Sequence, residues 1–123
     1  MTQRILVVDD QEDNRRILRD LLTASGFEVI EAKTGEEGVA LAEERGPDLI
    51  LMDIQLPGID GYEATRQIKA KPALAATPLI VVTSYALSGD EAKAFAAGAD
   101  AYVSKPFSPR ALLAKVRGFL GSP

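Results

Sequence analysis

The sequence predicts an α/β fold: one doubly wound domain, a parallel sheet with helices on both faces. Three observations predict it. First, the continuous apolar runs Ile5-Leu6-Val7-Val8, Leu49-Ile50-Leu51-Met52 and Leu79-Ile80-Val81-Val82 read as strands buried on both sides, the pattern of a parallel sheet. Second, strand and helix signals alternate five times along the 123 residues, with no repeat, linker or low-complexity stretch between them. Third, each run stops at polar residues: Asp9-Asp10, Asp53 and Thr83-Ser84, while Ala101-Tyr102-Val103 leads to Lys105-Pro106. In open parallel sheets the ligand site lies beyond the carboxyl ends of the strands, so these residues are candidates for one shared pocket.

The elements follow in order. Residues 4–9 form the first strand. A helix follows, with Ile17, Leu18, Leu21 and Leu22 on its apolar face, and ends at Gly26. Residues 27–31 partly alternate, which suits an edge strand. Thr34-Gly35-Glu36-Glu37 is a capping box that opens the second helix, and Gly46-Pro47 stops it. Residues 48–53 are the third strand. Gln55 to Gly61 is a loop rich in turn residues, and the third helix covers 62–70, ending before Pro72. Residues 78–83 are the fourth strand. Ser88-Gly89-Asp90-Glu91 is a second capping box, opening a helix with Ala92, Phe95 and Ala96 inward and Gly98 at its end. Residues 100–104 are the fifth strand. Ser108-Pro109 supplies an N-cap and a proline at the first helical position, and Leu112, Leu113, Val116, Phe119 and Leu120 are assigned to the core face of the last helix.

Composition removes several functions. Hydrophobic residues make up 46% of the chain, which marks a globular domain. A formal net charge of −4 and the lack of any Lys/Arg run argue against nucleic-acid binding. With no cysteine there is no disulfide, thiolate zinc site or catalytic thiol; with no histidine there is no Ser-His-Asp chemistry and no His-ligated metal. A metal must then be oxygen-bound and hard: Mg²⁺, with Mn²⁺ as its substitute. Residues 1–4 lead straight into a strand without a signal peptide, and no apolar stretch approaches the ~20 residues of a membrane helix. The expectation is a cytoplasmic protein with no membrane or nucleic-acid partner.

The candidate residues each have a plain structural role as well. Asp9-Asp10 serves as a turn or cap in many proteins, and Asp53 as a strand-terminal turn residue. Together, three carboxylates at neighbouring strand ends repel one another and need a cation. A carboxylate can also act as a nucleophile and form an aspartyl phosphate. Thr83 suits any strand, but beside a phosphoryl group its hydroxyl is a donor. Lys105 would be a point-charge partner for phosphate, and the Lys105-Pro106 bond is open to either isomer. Tyr102, one alternation from the site, is an ordinary strand aromatic or a reporter. Gln55 and Tyr85, two residues past Asp53 and Thr83, would flank the approach of hydrolytic water.

The motifs Val7-Val8-Asp9-Asp10, Leu51-Met52-Asp53-Ile54-Gln55-Leu56-Pro57-Gly58-Ile59-Asp60-Gly61, Val82-Thr83-Ser84 and Tyr102-Val103-Ser104-Lys105-Pro106-Phe107 resemble those of a response-regulator receiver domain of the CheY-like family. The wording Asp53-Ile54-Gln55-Leu56-Pro57 and Ala86-Leu87-Ser88-Gly89-Asp90-Glu91 most resembles DivK-like single-domain regulators and the receivers of hybrid kinases. The resemblance implies a flavodoxin-like five-stranded parallel sheet in the order 2-1-3-4-5. It implies one receiver domain over residues 1–123 without an output domain, a monomer or weak dimer. By the same resemblance Asp53 accepts a phosphoryl group from a phosphohistidine on a histidine kinase or histidine phosphotransferase. Asp10, Asp53 and the Gln55 backbone carbonyl bind Mg²⁺ directly and Asp9 through water; Thr83 and Lys105 contact the phosphoryl oxygens, and Tyr102 couples to Thr83 as a switch toward a downstream protein target.

Partner recognition is expected on the first helix and the loop after the fifth strand: Arg15 and Arg19 on one exposed side, Ile17 and Leu18 beginning the apolar face, Phe107 and Pro109 beside Lys105. The leading expectation is a switch and not an enzyme. Its rivals are a receiver fragment of a larger regulator, an aspartyl-phosphate phosphatase and a dinucleotide or flavin module. The phosphatase lacks the second acid two residues after its nucleophile, because Gln55 stands there. The nucleotide module lacks a Gly-rich phosphate loop after the first strand, where Asp10-Gln11-Glu12-Asp13 would repel phosphate.

Overall fold

The computed structural model describes residues 2–83 and 90–121. The expectations for Ser84, Tyr85 and the Ser88 cap lie outside the described residues. Strands and helices alternate throughout: β1 (Arg4–Val8), α1 (Glu12–Ala24), β2 (Glu28–Ala32), α2 (Gly35–Arg45), β3 (Leu49–Met52), α3 (Gly61–Lys69), β4 (Leu79–Thr83), α4 (Asp90–Ala97), β5 (Ala101–Ser104) and α5 (Pro109–Leu120). The strands pair in parallel in the order β2-β1-β3-β4-β5, as expected.

Because side chains alternate along a strand, each central strand serves two cores. On one face Leu6, Val8, Ile50, Met52 and Val81 pack with Ala42 of α2, Ala64 and Ile68 of α3 and Ala94 of α4. On the other, Ile5, Val7, Leu49, Leu51, Ile80 and Val82 pack with Leu18 and Leu22 of α1 and Leu112 and Val116 of α5. This explains the unbroken apolar runs of β1, β3 and β4. β2 lies at the edge, where Ile30 and Ala32 are buried and Glu28 is exposed, which explains its alternation.

Helix ends follow the local chemistry. Thr34 Oγ1 accepts from Glu37 N at 3.0 Å, while the Glu37 carboxylate reaches back to Lys33 N at 2.7 Å, one residue before the cap itself. Gly46 takes φ 54° and stops α2 in a left-handed turn that a side chain would strain. Asp60 and Ser108 cap α3 and α5 through Glu63 N and Ala111 N. The Lys105–Pro106 peptide bond is cis.

Two helix faces differ from the sequence reading. α4 turns Asp90, Ala94 and Ala97 inward, and Phe95 is 45% exposed, with Ala92 and Ala96 also outside. α5 buries Leu112 and Val116, half-buries Leu113 and Leu120, and leaves Phe119 41% exposed. In both cases assigning every large apolar residue inward required a stripe wider than the sheet can cover.

Candidate functional site

The chain order reverses between β1 and β3: from β1 it runs outward to β2, then returns to the other side. The carboxyl ends of these two strands flank the crevice such sheets use for ligands. Asp9 and Asp10 follow β1, and Asp53 follows β3. One carboxylate oxygen from each of the three lies within 4.8 Å of the others. Asp9 is 2% and Asp53 8% exposed, while Asp10 opens to solvent. The donor set is all oxygen and triply acidic, which fits a hard divalent cation with waters completing its shell.

Local bonds fix these side chains. Asp53 N donates to the Val8 carbonyl at 2.9 Å, and Ile54 N donates to Asp53 Oδ1 at 2.8 Å. Gln11 N donates to Asp9 Oδ1 at 2.9 Å, closing the turn into α1. Gly61 starts α3 against this strand end; a Cβ there would overlap the Asp53 carbonyl oxygen and the Ile54 backbone. Lys105 Nζ sits 2.9 Å from Asp9 Oδ2 and 4.0 Å from Asp53 Oδ2. Its backbone N donates to the Thr83 carbonyl at 2.7 Å, which ties β5 to the end of β4. Met52 pairs with Val81, so the buried Thr83 stands one residue beyond the level of Asp53 on the neighbouring strand. Tyr102 is half-buried and pairs with Val81, which puts it on the Thr83 face of the sheet. Gln55 is exposed in the loop after β3.

Burial raises the Asp53 carboxyl from 3.8 to about 6, with Lys105 opposing the shift and the Asp9 and Asp10 charges adding to it. An ionised Asp53 in this pocket is therefore disfavoured without a cation, which is a second reason the residues fit one. Nearby, burial raises the Tyr62 hydroxyl to about 12, helped by Asp90, whose Oδ1 accepts from it at 3.2 Å.

Beside the acidic pocket, Asn14, Ile17 and Leu18 of α1 face Lys105, Phe107 and Pro109 across a cleft of about 350 Å³. Four of the expected partner-binding residues thus meet on one surface, with Ile17 53% exposed. Arg15 does not belong to it. Arg15 is 3% exposed and shares its stripe with Leu18 and Leu22. Arg19 is part-exposed and ion-paired to Glu31 at 2.9 Å. Ile17 turns to solvent and is not in the core with Leu18. The spacing 15, 18, 22 was the available signal, since it repeats on one helical face and takes Arg15 inward. Asn14 and Pro106 also line the cleft, and neither is among the partner-binding residues expected from the sequence.

A parallel sheet in the order 2-1-3-4-5 with three acids at its switch point defines a class of signalling domain, and residues 5–117 match the response regulator receiver domain; the chain belongs to that family. It is 43% identical over 121 residues to the polar-differentiation response regulator DivK of Brucella ovis, covering 98% of each chain. It superposes with TM-score 0.93 on a putative response regulator from Chloroflexus aurantiacus J-10-fl, at 31% identity and over 99% of this chain and 100% of that one. It superposes with TM-score 0.91 on the receiver domain of a sensor histidine kinase from Pseudomonas aeruginosa PAO1, solved with a magnesium ion coordinated in its active site cleft. That match has 36% identity and covers 99% of this chain and 100% of the other.

Proposed function

We propose that this receiver domain is a phosphorylation switch of a two-component phosphorelay, with Asp53 as the acceptor. The observation that carries the reading is the convergence of Asp9, Asp10 and Asp53 within 4.8 Å, with the Lys105 ammonium at their edge. An Asp53 carboxylate oxygen attacks the phosphorus of a phosphohistidine. The P–N bond breaks as the P–O bond forms, and the imidazole leaves with the electron pair and takes up a proton. Asp10, Asp53 and the Gln55 carbonyl would hold Mg²⁺, with Asp9 joined through water. Bound there, the cation offsets the charge of the incoming group.

The remaining residues position and read the product. Lys105 exchanges its contact with Asp9 for a phosphoryl oxygen, and the Thr83 hydroxyl donates to another. Drawing Thr83 toward the site opens space on the sheet face it shares with Tyr102, so the ring moves inward and the outer surface changes for a downstream protein. The phosphohistidine protein docks in the cleft of Ile17, Leu18, Phe107 and Pro109, whose wall includes Lys105 and so adjoins the acceptor. The chain turns over no separate substrate. Its chemistry is self-phosphorylation and slow hydrolysis, and Gln55 offers no charge to act as a base for that hydrolysis. It works in the cytoplasm.

The test is transfer from a labelled phosphohistidine protein in the presence of Mg²⁺ or EDTA. Label should pass to the parent only with Mg²⁺, and never to Asp53→Asn, which keeps the volume but removes the nucleophile. Equal labelling of the variant, or full transfer in EDTA, would overturn the assignment.

A further inference from the structure

Arg15 is the most buried cation of the described residues, 3% exposed, and it lies directly beneath the acidic turn. Its Nη1 donates to the Asp9 backbone carbonyl at 2.7 Å in a buried bond. Its Nη2 pairs with the Glu12 carboxylate, and its Nε lies 3.3 Å from Glu31 Oε1 on β2. Glu31 is held in turn by Arg19 at 2.9 Å. The Asp9 carbonyl belongs to the peptide unit that joins Asp9 to Asp10. Its orientation sets where the Asp10 side chain leaves the backbone. The amide of Asp9 is fixed separately, donating to Ala32 O of β2 at 3.1 Å. The acidic turn is thus clamped at its N–H by strand β2 and at its C=O by a guanidinium that the same strand's Glu31 holds in place.

We propose that Arg15 is a positioning residue for the metal site. It orients the Asp9–Asp10 peptide so that the Asp10 carboxylate meets the cation, and Glu12 and Glu31 neutralise it so that the pocket keeps its acidic field. Arginine suits this task because its planar fork can serve a carbonyl and two carboxylates at once, whereas a lysine cannot hold that geometry. Partners one layer behind a metal ligand commonly carry this kind of control over affinity. The inference rests on the metal-site reading given above.

Charge and position predict opposite signs here, and this makes the idea testable. By charge alone, removing a cation beside three carboxylates tightens Mg²⁺ binding. By position, removing Arg15 frees the Asp9–Asp10 peptide and weakens it. The experiment titrates Mg²⁺ alone into ¹⁵N-labelled parent, Arg15→Met and Arg15→Lys, following amide shifts, with the spectrum of each metal-free protein reporting its fold. Arg15→Met should bind Mg²⁺ about tenfold more weakly, and the Asp10 amide should shift before any metal is added. Arg15→Lys keeps the charge but not the fork, and should lose about threefold; it decides the matter if Arg15→Met does not fold. Unchanged or tighter binding in the folded variants, beside a parent that binds, would overturn the role of Arg15 and leave the metal site standing. A parent that binds no Mg²⁺ would overturn both.

Discussion

Asp53 sits where burial favours the neutral acid, while the phosphoryl transfer proposed for it needs the ionised form. Its ordinary value of 3.8 is raised to about 6 in the fold. Its contribution to stability is therefore complete below the unfolded value and is lost as pH rises through about 6. At pH 7 without a divalent cation the ionised carboxylate opposes folding, by about 1–2 kcal/mol once screening by solvent is allowed for. Asp53→Asn should then raise the metal-free melting temperature at pH 7 by about 4–8 °C, with the gain vanishing near pH 4. Calorimetry at both pH values checks this, and a variant less stable than the parent at pH 7 would show that the carboxylate is not under strain. The acids, Thr83 and Lys105 were legible in sequence because each ends a strand signal. Arg15 is not legible by type, since its charge argues for exposure, but its spacing to Leu18 and Leu22 places it on the buried stripe.

The elements that frame the site are held by side chains whose absence or presence is easily varied. α3 begins against the end of β3 only because Gly61 has no side chain to strike the Asp53 carbonyl. Gly61→Ala should cost about 2 kcal/mol or more and disturb the end of β3, so melting temperature and Mg²⁺ affinity fall together. A neutral Gly61→Ala would mean that α3 can back away freely. Within the same helix, Thr65 Oγ1 is buried with no hydrogen-bond partner among the described residues. Thr65→Val keeps the shape and removes the unsatisfied hydroxyl, and should raise stability by about 1 kcal/mol in urea unfolding. Loss of stability would reveal a partner for that hydroxyl. Element order and type could be read from the sequence because propensity, capping and apolar runs agree, and strand and helix ends differ by about one residue. The facing of α4 and α5 could not be read the same way. Phe95 and Phe119 fit an apolar stripe by composition, but a helix above a sheet buries only the narrow line that meets it.

At the scale of the whole molecule, the topology brings the acidic pocket and an apolar cleft side by side, with Lys105 in the wall of both. Under the proposed function this layout separates recognition from chemistry, since a small phosphodonor needs only the pocket. Ile17→Glu places a charge on the exposed rim of the cleft. It should slow transfer from a phosphohistidine protein at least tenfold, the loss expected when a charge replaces an apolar contact worth about 1.4 kcal/mol or more. Labelling by acetyl phosphate should stay at the parent's rate; if both rates fell together, the change would have reached the chemistry or the fold. The strand order was legible only through the family motifs, because parallel pairing joins residues far apart in the chain and leaves no local signature. The cleft is legible in part: the sequence points to Ile17, Leu18, Phe107 and Pro109, but their meeting across one groove depends on how α1 lies against the loop after β5. Mass spectrometry of the protein after incubation with acetyl phosphate reads the proposed role of Asp53 as Mg²⁺-dependent phosphoryl acceptor with no partner protein present. One added phosphoryl group is expected, mapped to Asp53 and lost when EDTA replaces Mg²⁺. Addition at another residue, or equal addition in EDTA, would contradict it.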